Sequence, residues 1–159
     1  MLIAVISDTH RVNKYINAAK NYIKDADVLI HLGDNVEDVD EIAKEFKGQL
    51  YVVKGNCYYS NKYPLEQVIE IMGKRIFITH GHLYSVKNNL NNIYYRAREL
   101  EADIVLFGHT HTFMLEETLG MTFMNPGSIS LPRLGKRYVG YIRLEEDEEP
   151  DIYVKELKE

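Results

Sequence analysis

One cysteine, Cys57, stands in a chain of 159 residues, so no intrachain disulfide can form. No apolar run approaches the roughly 20 residues needed to span a bilayer. The first apolar run, Leu2-Ile3-Ala4-Val5-Ile6, has no basic residue ahead of it and is too short for the core of a signal peptide. A lone thiol without an export signal predicts a reducing, cytoplasmic setting and no membrane partner. Positive charge is in deficit. The 19 Lys and Arg against 24 Asp and Glu give a formal net charge of −5, which argues against a protein built to coat nucleic acid. Internal repeats, low-complexity tracts and linker-like stretches are also missing, so a single domain over residues 1–159 is expected.

What the chain does have is ordinary globular composition, 45% hydrophobic and 27% charged, arranged in an ordered pattern. Five short apolar runs each end in polar residues. Leu2–Ile6 leads into Ser7-Asp8-Thr9-His10, and Val28-Leu29-Ile30 into His31-Leu32-Gly33-Asp34-Asn35. Leu50–Val53 leads into Lys54-Gly55-Asn56-Cys57. Ile76-Phe77-Ile78 leads into Thr79-His80-Gly81-His82, and Ile104–Phe107 into Gly108-His109-Thr110-His111. Continuous runs rich in Val, Ile and Leu read as strands buried on both faces. Helical spacing appears from Tyr15 to Ile23, from Val39 to Phe46 with Asp38 as the expected N-cap, and from Val86 to Leu100. Alternating strands and helices predict right-handed βαβ units and a largely parallel sheet. After His111, four strand-like runs (Phe113–Glu117, Met121–Met124, Tyr138–Leu144 and Ile152–Leu157) follow one another without helices and are expected to complete a second sheet. The acidic run from Glu145 to Glu149 reads as a solvated turn between two of them.

Ligands of an open parallel sheet bind outside the carboxyl ends of its strands, and all five polar clusters fall at such ends. Their side chains are carboxylates and imidazoles, donors suited to Mn, Fe, Zn, Co or Ni. Asp8 and His10 are two apart and can both turn toward one ion; His109 and His111 repeat that spacing, and a short loop could equally send them to different ions. Asp34 follows Gly33 and carries two oxygens, which suits a bridge between cations. Four of the six histidines lie in His80-Gly81-His82 and His109-Thr110-His111, and a fifth is His10. The sixth, His31, is read as a core or surface residue. Cys57 reads as a small buried hydrophobe. Tyr58, Tyr59, Tyr63 and Tyr84 read chiefly as packing residues, with a stacking pocket as the alternative. Arg133 is either an exposed surface residue or a phosphate contact.

The order Asp-x-His, Gly-Asp, Gly-Asn, His, Gly-His-x-His, running from Asp8 to His111, resembles the calcineurin-like metallophosphoesterases. The closing Asn125-Pro126-Gly127-Ser128 loop resembles the small uncapped phosphodiesterases of that group. The resemblance implies an α/β fold of two packed mixed β-sheets flanked by helices, a four-layer α/β/β/α sandwich. It also divides the ligands. Asp8, His10 and His111 would hold one metal, Asn56, His80 and His109 the second, and Asp34 would bridge them. The family pattern departs at Cys57-Tyr58, where many members carry a His followed by an acidic residue. That His is associated with departure of the leaving group, so the general acid here is left without an obvious candidate.

The implied cofactors are two divalent ions, Mn foremost, with Ni, Fe, Co, Zn or Mg as alternatives. The expected activity is that of a metal-dependent phosphodiesterase acting on a small-molecule phosphate ester by in-line attack of a metal-bound hydroxide. Asp34, His109 and Asn56 are the expected catalytic residues, and His82 stands just outside the metal shell. The alternatives are a protein-interaction scaffold on the same fold, as in a retromer subunit, and a nuclease. The intact ligand set favours the enzyme over the first, and the acidic charge counts against the second. A homo-oligomer is compatible with all of these readings.

Overall fold

The computed structural model describes residues 1–57 and 60–158, which form ten strands and three helices. Strands β1 (Leu2–Ile6), β2 (Val28–His31) and β3 (Gln49–Val52) run parallel, joined through helices α1 (Asn13–Ile23) and α2 (Asp38–Ala43). Strand β4 (Glu66–Ile71) forms a hairpin with β5 (Lys74–Thr79), and helix α3 (Asn91–Glu99) leads to β6 (Ile104–Leu106). Strands β7 (Met114–Thr118) and β8 (Met121–Asn125) form a second hairpin. β9 (Tyr138–Arg143) and β10 (Asp151–Glu156) form a third, closed by the turn that holds the acidic run. The strand orders are β10-β9-β1-β2-β3 in one sheet and β4-β5-β6-β8-β7 in the other.

Alternation along each strand builds the layers, because successive side chains point to opposite faces. Ile3 and Val5 of β1 meet Ile76 and Ile78 of β5 in a core between the sheets, while Ala4 and Ile6 turn the other way onto Ile16, Ala19 and Ile23 of α1. Phe77 and Val105 turn outward from the second sheet onto Ile93 and Ala97 of α3. The result is the expected helix–sheet–sheet–helix sandwich. Among the described residues, no helix is long and apolar enough to cross a membrane.

Several expectations need correction. The five ligand-bearing runs do not share one sheet: β1, β2 and β3 lie in the first, β5 and β6 in the second. Nor do the C-terminal strands stay together. β7 and β8 extend the second sheet, and β9 and β10 return to flank β1 in the first, so both sheets are mixed rather than largely parallel. Strand β4 has no counterpart among the expected runs, because Glu66, Gln67 and Glu70 break up its apolar residues. Helix α3 begins at Asn91, not at Val86. Turns and a bend occupy residues 86–90, and Val86 is buried against Gly81 instead. Asp38 is the first residue of α2 and makes no cap. Its carboxylate Oδ2 accepts the backbone N–H of Arg11 at 2.8 Å.

Candidate metal centre

The carboxyl ends of β1, β2, β3, β5 and β6 meet along one rim where the two sheets abut, and their loops bend sharply there. Asp8, His10, Asp34, His109 and His111 all have φ between 47° and 67°, a left-handed conformation uncommon for residues with a Cβ. Such residues cost of order 1–3 kcal/mol each and persist where surrounding structure enforces them. Five of the seven expected ligands are held this way, so local strain and candidate chemistry coincide. Glycines admit the close approaches that result. A Cβ on Gly55 would stand 2.1 Å from Asp34 Oδ1, and one on Gly108 the same distance from Ser7 Oγ.

Six of the seven expected ligands come together in two groups. Donor atoms of Asp8, His10, Asp34 and His111 lie within 4.8 Å of one another, as do those of Asp34, His80 and His109. Asp34 belongs to both. Asn56 is not in either group; it is exposed, with its amide nitrogen 3.7 Å from Cys57 Sγ. It still borders the site, because the next backbone N–H, that of Cys57, donates to Asp34 Oδ1 at 3.2 Å. Cys57 itself is exposed, contrary to the expectation of a buried hydrophobe. The loop turns its side chain outward so that its N–H can reach Asp34.

The proton inventory of these groups favours cations. His111 Nδ1 lies 2.9 Å from the Leu131 carbonyl, which only accepts, so Nδ1 carries the hydrogen and a neutral ring presents a lone pair at Nε2. That Nε2 faces Asp8 Oδ1 at 3.1 Å and His10 Nε2 at 3.1 Å. Asp8 Oδ1 is buried and accepts no hydrogen bond. His80 repeats the arrangement. Its Nδ1 donates to the Leu32 carbonyl at 2.8 Å, and its Nε2 faces Asp34 Oδ2 at 3.5 Å and His109 Nδ1 at 3.2 Å. Lone pairs turned toward one another repel unless a proton or a cation lies between them. Imidazoles whose far nitrogen is anchored to a carbonyl are the usual form of metal-ligating histidine. The donor set therefore fits two divalent ions.

Local electrostatics agree. Burial alone would raise Asp8, but the imidazoles of His10, His111 and His80 and the Ser7 hydroxyl hold its carboxyl far below the carboxylate range. Burial would lower His80, yet Asp34 and Asp8 outweigh it and raise the imidazole. His109 is pushed down to about 4 by burial, then by the charges of His80 and Lys87. His82, beside His80 and His109, is also lowered, first by burial and then by His80.

A supporting frame surrounds these side chains. The buried Asn125-Pro126-Gly127-Ser128 loop clasps two ligand loops at once. Asn125 Nδ2 donates to the Gly108 carbonyl and to Thr110 Oγ1, each at 2.9 Å. Ser128 Oγ donates to the Asp8 carbonyl at 2.6 Å, and Ser130 Oγ to the Thr9 carbonyl at 2.5 Å. His31 is fully buried. Its Nδ1 accepts the Gly33 N–H at 3.2 Å, so Nε2 carries the hydrogen and faces Thr9 Oγ1 at 3.3 Å. Burial pushes this imidazole down to about 4, and it stays neutral as a tie between the Asp8 and Asp34 loops. Thr9, Ser128 and Ser130 were not expected as site residues, because their partners lie far away in sequence. The four-residue Asn125-Pro126-Gly127-Ser128 pattern was the signal available.

The other candidates fall outside the centre. Tyr63 packs on Val36, Val39 and Val52, and Tyr84 sits edge-on to Phe77 with its hydroxyl on Glu66, so both are packing residues. Tyr58 and Tyr59 lie outside the described residues. Arg133 is exposed, and its backbone N–H donates to the His111 carbonyl at 3.0 Å.

Comparison with known proteins places this geometry in a family. Residues 1–149 match the calcineurin-like phosphoesterase superfamily domain. YsnB of Bacillus subtilis, named as a probable metallophosphoesterase, is 38% identical over 135 residues, covering 84% of this chain and 78% of that protein. Vacuolar protein sorting-associated protein 29 of Schizosaccharomyces pombe is 34% identical over 134 residues, covering 80% and 72%. The crystal structure of a predicted phosphoesterase from Streptococcus pneumoniae superposes with a TM-score of 0.78 at 27% identity, over 97% of each chain. With the match spanning nearly the whole sandwich and every loop of the rim, the chain belongs to the calcineurin-like phosphoesterase superfamily.

Proposed function

We propose that the protein is a dinuclear-metal-dependent phosphodiesterase acting on a small phosphate ester. The observation that carries this reading is the convergence of Asp8, His10, Asp34 and His111 beside Asp34, His80 and His109, with Asp8 Oδ1 buried and unpartnered. Asp8, His10 and His111 would hold one ion, His80, His109 and Asn56 the other, and Asp34 both. Two divalent ions so held would supply Lewis acidity to phosphoryl oxygens and would lower the pKa of a bound water toward about 7. Manganese is the first candidate, since a mixed oxygen and nitrogen donor set suits it.

The chain's own groups divide the remaining work. Asp34 carries the charge shared by both groups and is fixed by the Cys57 N–H. His109, half-buried at the rim, is the imidazole best placed to face a phosphoryl oxygen, and His82 lies behind it with ring centroids 6.2 Å apart. Asn56 and Cys57 are exposed on the opposite lip, so the centre opens to solvent and leaves room for both organic arms of a diester.

A protein-interaction role is the second reading, favoured by the likeness to the fission-yeast sorting protein. The complete Asp and His set weighs against it, since a scaffold has no need of six convergent donors. The test strips metal from the protein, restores Mn²⁺, and compares hydrolysis of matched aryl phosphodiester and monoester substrates. Metal-dependent turnover with the diester preferred is the expected result. Two bound ions without turnover on either substrate would move the assignment to the scaffold.

A further inference from the structure

Beside the candidate centre lies a cavity of about 170 Å³ lined by His111, Phe113, Leu134, Lys136 and Tyr138. It forms where the two sheets end. Phe113 immediately precedes β7 of the second sheet, and Tyr138 opens β9 of the first. Their ring centroids stand 5.0 Å apart with the ring planes tilted by 48°, and both rings line the hollow. Leu134 projects from a turn made possible by Gly135 at φ 78°, and it is 78% exposed. Leu131 and Phe113 are exposed nearby. Clustered apolar exposure beside a polar site is costly to leave in water and marks a binding surface.

His111 is the wall the cavity shares with the metal centre: one ring nitrogen faces Asp8, and the ring itself lines the hollow. The two sites are therefore separated by about the width of one imidazole. We infer that this cavity is a subsite for a single six-membered aromatic ring carried on the phosphate ester. The inference rests on the phosphoesterase reading of the centre and adds the class of substrate to it. Size supports a single ring, because an apolar cavity of about 150 Å³ holds a benzene molecule. Chemistry supports an aromatic one, since the Phe113 and Tyr138 rings offer edges and faces for a third ring. The ring is supplied either by an aryl ester or by a pyrimidine one sugar removed from the phosphorus, and both use the same contacts.

The test is calorimetric binding to the metal-loaded protein of phenylphosphonate, methylphosphonate, uridine monophosphate and ribose 5-phosphate. Wild type, Phe113→Ala and Leu134→Ala are compared, and turnover is assayed separately. Phenylphosphonate is expected to bind about tenfold more tightly than methylphosphonate, and each substitution should shrink that preference to about twofold or less. Leu134 is exposed on a turn, so its variant keeps the test available if Phe113→Ala folds poorly. A uridine preference over ribose phosphate, lost in the same variants, would identify the ring as a base; its absence would identify an aryl ester. Equal affinity for the phenyl and methyl compounds, no binding of either, or a preference that survives both substitutions would overturn the subsite. A variant-sensitive phenyl preference without turnover on any ester would leave the subsite standing and remove the phosphoesterase reading.

Discussion

Asp34 belongs to both donor groups, so its removal tests the centre most directly. Asp34→Asn keeps the shape and the Cys57 N–H contact but removes the charge shared by the two donor groups. Turnover should fall by at least about a hundredfold and bound metal should drop, while the thermal midpoint of the metal-free protein changes little. Metal analysis together with steady-state kinetics checks this. Cys57 offers the converse experiment. It is exposed, and its backbone is anchored to Asp34, so an imidazole placed there would face the same opening. Cys57→His should raise hydrolysis of alkyl esters by roughly tenfold or more, with a smaller gain for activated aryl esters, because only poor leaving groups need a proton donor. Equal gains for both would remove position 57 from leaving-group chemistry. At this scale, the ligands were legible because their chemical types cluster at the ends of apolar runs. The residues that hold them were not. Ser128 is an unremarkable serine until the fold sets its hydroxyl against the Asp8 carbonyl, and His31 is one more histidine until Gly33 and Thr9 fix its tautomer.

Loops and hairpins carry the next set of consequences. Ser128→Ala leaves the buried Asp8 carbonyl without its donor, which should cost about 1–3 kcal/mol in urea unfolding. Metal affinity should fall by about 10- to 100-fold, since the loop that aims Asp8 loosens. On the far side of the second sheet, Glu66 of β4 accepts from Arg96 of α3 and from the Tyr84 hydroxyl. Burial would raise this carboxyl, but Arg96 and Tyr84 bring it below its ordinary value of 4.5. A depressed carboxyl contributes stability that is present above the unfolded value and is lost as pH falls through the folded one. Glu66→Gln should therefore cost about 1 kcal/mol at neutral pH, and the gap to wild type should close as the pH drops below 4.5. Denaturant melts of both proteins across that range measure it. Elements were legible in proportion to how continuous their apolar runs are: β1, β2, β5 and β6 are plain in the sequence. β4 is an edge strand with charged residues toward solvent, and the Met72-Gly73 turn that pairs it with β5 lacks the usual Asn or Asp. Partition of the last four strands between two sheets was beyond local pattern, because β9 finds its partner at the other end of the chain.

Across the whole molecule, the candidate ligands come from both sheets: Asp8, His10 and Asp34 from the first, His80, His109 and His111 from the second. Ions bound there would fasten two layers in addition to the apolar core that includes Ile3, Val5, Ile76 and Ile78. Ligands that bind only the folded state stabilise it by mass action. Mn²⁺ at about a hundred times its dissociation constant should add about 2.7 kcal/mol per site, and chelation should reverse it. Because the sheets share that core, unfolding should proceed as one transition with coincident far-ultraviolet and tyrosine signals, as expected for a single domain of residues 1–159. Two separated transitions would divide the sandwich into independent parts. The pairing of β1 with β9 has a consequence in time. Ile3 pairs with Ile142, so β1 waits beside β2 for a neighbour that emerges only after all the strands of the second sheet. The strands from β4 to β8 can assemble in order as they appear, whereas the first sheet closes last. Since the Asn125–Ser130 loop that clasps Asp8 and Thr9 follows β8, the centre takes its final shape only after the second sheet has been made, however early its first candidate ligands emerge.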